Sequence, residues 1–155
     1  MRKAVAIFIS ILIAQSAGVI GSIFTAGSVQ TWYVDLVKPA LNPPNWIFGP
    51  VWITLYTLMG IAAYLIWQRR REQGVKFALS LYGVQLILNT LWSILFFGLQ
   101  NPGLAFAEIL ILLPFIVLTM ALFWRINKWA GILLVPYLAW VSFATYLNYA
   151  IWTLN

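Results

Sequence analysis

The chain has 155 residues, of which 63% are hydrophobic and 8% charged, with nine lysines and arginines against three acidic residues. A water-soluble domain carries about 25% charge, so this composition excludes one, and the net charge of +6 is read against a membrane surface rather than a nucleic acid. Histidine and cysteine are both absent, which removes the commonest general base, the usual haem and metal ligands, thiolate nucleophiles and disulfides; no metal site and no hydrolytic chemistry are expected.

Five spans are predicted in one domain, at about 4–24, 46–67, 75–97, 103–124 and 129–153, each near the ~20 residues that a bilayer core requires. The first opens on Met1-Arg2-Lys3 and an apolar stretch to Ala14 that mimics a secretory signal. Its apolar run continues to Phe24, as suits a retained span. Ala14, Gly18 and Ser22, with Gly21 alongside, give it one small face, a pattern that serves close helix packing.

The link at about 26–45 carries Trp32, Tyr33, Trp46 at its end, Lys38, Pro39, Pro43 and Pro44. A connection of this length is functional or disordered, and its prolines and aromatics favour order. The expectation is a long ordered loop forming a lid over the outer mouth of the bundle, with an apron of interfacial aromatic anchors as the competing reading. The second span starts after Pro43-Pro44, because proline is tolerated in a first turn and blocks backward extension. Its end nearest the lid holds Gly49-Pro50, Trp52 and Tyr56.

On the third span Gln85 and Asn89 stand one turn apart, with Trp92 and Phe96 on nearly the same face. The fourth holds Glu108, the single carboxylate within a span. On the fifth, Trp140, Phe143, Ala144, Leu147 and Asn148 share a stripe that begins at Pro136-Tyr137. Polar groups at this depth are costly against lipid and face the bundle interior, either bonding helix to helix or lining a site. Trp52 and Trp140 lie well inside their spans, where an anchoring role weakens and a pocket becomes the better reading.

Charge predicts the orientation. Arg2, Lys3, Arg69, Arg70, Arg71, Lys76, Arg125 and Lys128 share one side, and Lys38 alone lies on the other. The N-terminus is therefore expected in the cytoplasm and the C-terminus outside.

At these residues the chain resembles the TspO / translocator protein family, also called tryptophan-rich sensory proteins or peripheral-type benzodiazepine receptors, as a bacterial-type member. The resemblance runs over nearly the whole chain. It is carried by Trp32-Tyr33 with Leu36-x-Lys38-Pro39 and Pro43-Pro44, by Gly49-Pro50-x-Trp52 with Leu55-Tyr56, by Asn89-x-x-Trp92-Ser93 with Phe96-Phe97-Gly98, and by Pro136-Tyr137-Leu138-x-Trp140 with Phe143-Ala144 and Leu147-Asn148. It implies an all-α, five-helix transmembrane bundle, commonly a homodimer, with a pocket under the first loop that binds protoporphyrin IX and isoquinoline or benzodiazepine-type ligands. Carried over, that pocket uses Trp32 and Pro43 from the lid, Ile47 and Trp52, Asn89 and Trp92, Glu108, and finally Trp140, Phe143, Ala144 and Leu147. Three departures stand out. Leu41 replaces a frequent tryptophan, Asn42 replaces the histidine of animal members, and no Lys or Arg follows Tyr149, so the animal sterol motif is incomplete.

The residues themselves support a flat, greasy ligand. Indole faces give a porphyrin plate stacking area, Tyr56 adds a ring beside Trp52, and Lys38 is placed to pair with a propionate. Without histidine, a metal-free porphyrin is favoured over haem. The leading expectation is a porphyrin-binding sensor or scavenger in contact with the bilayer, with no cofactor beyond that ligand. Two alternatives are light- and oxygen-dependent porphyrin breakdown through Trp52 and Trp140, which the resemblance implies for bacterial members, and transport of porphyrins or small hydrophobic solutes. The missing inverted repeat and the scarcity of intramembrane charge argue against a coupled transporter.

Overall fold

The computed structural model describes residues 2–155, so Met1 of the signal-like start lies outside the described residues. Among them, five helices are long and apolar enough to cross a bilayer, making the chain a multi-pass integral membrane protein. They are α1 (Arg2–Val29), then, after a single turn α2 (Trp32–Asp35), α3 (Asn45–Trp67), α4 (Val75–Ser93) with a π-helical continuation Ile94–Gly98, α5 (Pro102–Ile126) and α6 (Lys128–Leu154). α1 packs on α3 and α4, α3 on α6, α6 on α5, and α5 on α4, so the spans close into a ring.

The long loop expected at 26–45 is not what forms. α1 continues through Gly27-Ser28 to Val29, α2 takes another turn, and only residues 36–44 are irregular. A glycine costs a helix only about 1 kcal/mol, and local bonds favour the helical path. Thr31 Oγ1 donates to the Gly27 carbonyl at 2.8 Å, and Ser28 Oγ reaches the Phe97 carbonyl at 2.6 Å, fastening this end of α1 to the π-helical turn. The irregular stretch is itself held. Tyr33 Oη donates to Asn42 Oδ1 at 3.0 Å, and Asn155 pairs with both backbone groups of Val37 at 2.9 Å.

The other junctions follow from local chemistry. Gly74, at φ +83°, supplies the left-handed turn before α4. Asn101 caps α5 by accepting from the Leu104 amide at 3.0 Å, with Pro102 in the first turn, and Asn127 caps α6 through the Trp129 amide at 3.0 Å. Arg69 ties the α3–α4 connection to the end of α5 through the Ile126 carbonyl, 2.6 Å away. α3, α5 and α6 run on through Pro50, Pro114 and Pro136.

Two devices hold the spans together. The first is close approach. A Cβ at Gly60 would lie 2.5 Å from Ile11 Cα, so the backbones of α1 and α3 cross there nearly in contact. Ser10 Oγ adds a 2.7 Å bond to the Gly60 carbonyl. The second is a buried polar chain. Tyr56 of α3 donates to Asn89 Oδ1 of α4, Asn89 Nδ2 donates to Tyr137 Oη of α6 at 3.1 Å, and Tyr137 donates to Gln85 Oε1 at 2.7 Å. On the side of the basic clusters the core is solid, built from Met59, Ala62, Ile66, Ala78, Phe123 and Leu134, with Tyr82 stacked on Phe123 at 5.7 Å.

Replacing Gly60 by alanine forces this crossing apart and is expected to destabilise the protein by about 1–3 kcal/mol. Gly27→Ala, whose Cβ meets nothing within 4 Å, leaves thermal unfolding in detergent nearly unchanged. Asn89→Leu strands the buried Tyr56 hydroxyl and is expected to cost about 1–3 kcal/mol, read in the same unfolding assay.

Candidate ligand cavity

Beyond the polar chain, toward the α1–α3 connection, the bundle is hollow. A cavity of about 470 Å³ lies between α1, α3, the end of α4 and α6, within the range of roughly 300–1,000 Å³ typical of small-molecule sites. Tyr56 forms its inner end, and Trp52 stacks on that ring with centroids 5.4 Å apart and planes 28° apart. Across from them Trp140 meets Phe48 edge-on at 5.9 Å. A further wall is Trp92 stacked on Phe96 at 5.0 Å, with Phe97 beside them.

The π-helical turn places those rings. Its wider coil ends α4 with a Leu99 amide to Ile94 carbonyl bond of 2.8 Å, and Gln100 at φ 52° stops the helix. Trp92 is further fixed by its indole N–H, which donates to Asn148 Oδ1 at 2.9 Å. Asn148 Nδ2 in turn donates to the Pro102 carbonyl at 2.7 Å.

The fourth wall is α1. Gly18 leaves no room for a side chain, and Gly21 leaves little. A Cβ at Gly18 would lie 2.5 Å from the Tyr56 ring, and one at Gly21 would lie 3.0 Å from Ser93 Oγ. Val19 and Ile53 line the cavity yet are 61% and 62% exposed, so it reaches the bilayer-facing surface between α1 and α3. Among the described residues, no Asp, Glu, Lys or Arg lines it.

Of the residues singled out from the sequence, Trp52, Tyr56, Trp92, Trp140, Ala144 and Leu147 are brought together on this cavity, with Phe96 and Asn148 from the same helix stripes. The remaining site candidates are placed elsewhere. Asn89 stands behind Tyr56 and lines only a ~10 Å³ void with Ile109 and Leu112. Trp32 packs edge-on against Phe96 at 5.6 Å in a separate cluster with Tyr33, Ala105 and Ile151. Phe143 lies between Trp140 and Tyr146, 5.8 and 6.3 Å from each. Glu108 is buried on α5, where neither carboxyl oxygen has a hydrogen-bond partner among the described residues. Ile47 and Pro43 stay at the start of α3 and in the connection before it. None of residues 36–44 lines the cavity; its mouth is flanked by Val29, Tyr33 and Asn45.

Lys38 is committed within the connection. Its ammonium donates to the Val34 and Leu36 carbonyls at 3.2 and 3.1 Å and lies 4.7 Å from the centre of the Tyr33 ring. Burial pushes the Tyr33 phenol above its ordinary pKa, so it remains a neutral donor to Asn42. Sequence reasoning missed the α1 wall, including Gln15, Ser22 and Thr25, and missed Phe48 and Ile53. The run of small residues on α1 was the available signal, and it serves both packing on Tyr56 and lining of the cavity.

The TspO/MBR family model matches residues 9–153 of this chain. Over 148 residues the chain is 47% identical to the tryptophan-rich protein TspO of Archaeoglobus fulgidus, covering 94% of each. It is 40% identical over 139 residues to the human translocator protein, covering 88% of this chain and 82% of that one. With the tryptophan-rich sensory protein of Cereibacter sphaeroides it shares 42% identity over 124 residues, covering 80% and 77%. With that span of matched sequence and a bundle of five membrane-crossing helices, the chain belongs to the TspO/MBR family.

Proposed function

We propose that this protein binds a flat, largely apolar tetrapyrrole such as protoporphyrin IX in the α1–α3–α6 cavity and acts as a membrane sensor or scavenger of it. One observation carries the reading: a cavity of ligand size, walled by Trp52, Tyr56, Trp92, Phe96 and Trp140 and, among the described residues, free of charged side chains. Aromatic faces give such a plate stacking area without the desolvation cost of buried charge. Family membership supports the same class of role. Isoquinoline and benzodiazepine-type molecules fit the same chemistry.

The propionates of a porphyrin find no cation on the cavity wall. They belong at the mouth near Tyr33 and Asn45, where Lys38 reaches them only by giving up its carbonyl partners. The excess of basic residues toward the opposite end supports a mouth on the outer side and a cytoplasmic N-terminus. A homodimer is compatible with the lipid-facing surfaces of α4, where Gly83 carries no packing partner within 4 Å. A second reading, light- and oxygen-dependent porphyrin breakdown, is favoured by the presence of both Trp52 and Trp140 on the cavity wall. It would sit on top of binding and needs only an excited porphyrin, oxygen and an oxidisable indole nearby.

In a dark titration of the detergent-solubilised protein with protoporphyrin IX, saturable tryptophan quenching is expected. Trp52→Leu should weaken binding about 3- to 10-fold through lost stacking. Absence of saturation would remove the binding reading. Under illumination, Trp140→Phe is expected to slow bleaching while leaving dark affinity within a few-fold; an unchanged bleaching rate in both tryptophan variants rules out the breakdown reading.

A further inference from the structure

We propose that Gln15 determines ligand specificity in this cavity: its side-chain oxygen selects flat apolar ligands that carry an N–H or O–H donor on one edge. The inference rests on the cavity being the ligand site and adds the hydrogen-bonding class of what enters it.

Gln15 lies on α1 at the inner end of the cavity, near Tyr56 and beside the gap toward lipid. Its amide nitrogen donates to the Ile53 carbonyl at 2.9 Å and to Thr57 Oγ1 at 3.0 Å. Both bonds are made by the amide nitrogen and neither involves the carbonyl oxygen. They also fix which way the amide points, because a backbone carbonyl only accepts and turning the amide over would set oxygen against oxygen. Thr57 has no proton to return, since its hydroxyl donates to the same Ile53 carbonyl at 2.8 Å. The Gln15 oxygen is therefore left as an acceptor that no protein donor reaches among the described residues.

Asn45 is exposed at the mouth, where water meets its amide, and the polar groups deeper on the wall do not impose such a requirement. Ser22 and Thr25 turn their hydroxyls onto carbonyls of their own helix at 2.7 and 3.1 Å. Both ends of the Asn148 amide are engaged. The hydroxyl of Ser93 can donate or accept, so it favours neither sign of partner. Lipid chains bring no donor to Gln15, and an unmet acceptor at this depth is costly. A ligand N–H or O–H meets it; an otherwise identical ligand lacking the donor leaves it unmet, and that difference is the discrimination.

Carbazole and N-methylcarbazole provide the test, since both are flat tricycles and differ in one N–H. Each is titrated against the full-length protein in detergent, in the dark, with protoporphyrin IX as competitor and with the preference of empty micelles for each probe subtracted. Wild type is expected to favour carbazole about 5-fold. Gln15→Met should bring that ratio near one while the unfolding temperature in detergent holds within a few degrees, a check that the bundle is intact. Gln15→Asn, which keeps the amide but withdraws it by one methylene, is the second variant and should also lose the preference. Equal binding of both probes by wild type, or a preference retained in both variants, overturns the role of Gln15 and leaves the cavity reading standing. Failure of either probe to compete with protoporphyrin IX counts against the cavity as the ligand site, and the inference falls with it.

Discussion

Asn89 stands where three spans meet, accepting a hydrogen bond from Tyr56 of α3 and donating one to Tyr137 of α6. In a bilayer core no water can satisfy these groups, so each depends on the others being present. The dependence runs outward to the cavity. Tyr56 forms its inner end, Trp52 is stacked on Tyr56, and Trp52 also meets Tyr137 edge-on at 6.4 Å. Gly18 of α1 lacks a side chain because the Tyr56 ring occupies that space. One hydrogen-bonded group thus separates a solid half of the bundle from a hollow one and fixes the floor of the hollow.

The chemistry of the hollow follows from what surrounds it. Large rings hold one another at angles and leave space between them, whereas the opposite half fills with Ala62, Ala63, Ala78 and branched aliphatics. The polar side chains of the wall are mostly turned back onto the protein, and apart from Glu108, buried on α5, the ionisable Asp, Glu, Lys and Arg side chains lie toward the two ends of the bundle. The lysine nearest the mouth serves the connection instead, holding two backbone carbonyls and covering the Tyr33 ring. A site made this way recognises shape and aromatic area first, and offers few hydrogen bonds for selectivity.

Much of this was legible in the sequence because the governing signals are local. Apolar length gave five spans in place. The spacing of Gln85, Asn89 and Trp92 put them on one interior face, and Trp52 and Trp140 stood too deep to be anchors. Four things were not legible. The extent of α1 past Gly27 depends on Ser28 bonding to Phe97, a contact 69 residues away in the chain. The π-helical turn at Ile94–Gly98, which sets where Phe96 and Phe97 face, has no distinct sequence mark. Whether Asn89 faces the ligand space or the helix behind it turns on the tyrosines it meets, one on α3 and one on α6, and sequence spacing places it on a face without saying which neighbour fills that face. The α1 wall was hidden for a related reason: small residues read equally as packing surface and as room for a ligand.

If the ligand resides in the space beside Tyr56, filling that space abolishes its binding. Ala144 lies on the cavity wall and is only partly buried, so Ala144→Phe puts a ring into empty volume without crowding the core. Dark protoporphyrin IX titrations of this variant, with thermal unfolding measured in parallel, separate occupancy from damage. Saturable quenching lost while the unfolding temperature holds within a few degrees is the predicted result; a variant that binds as tightly as wild type would place the ligand elsewhere and contradict the account.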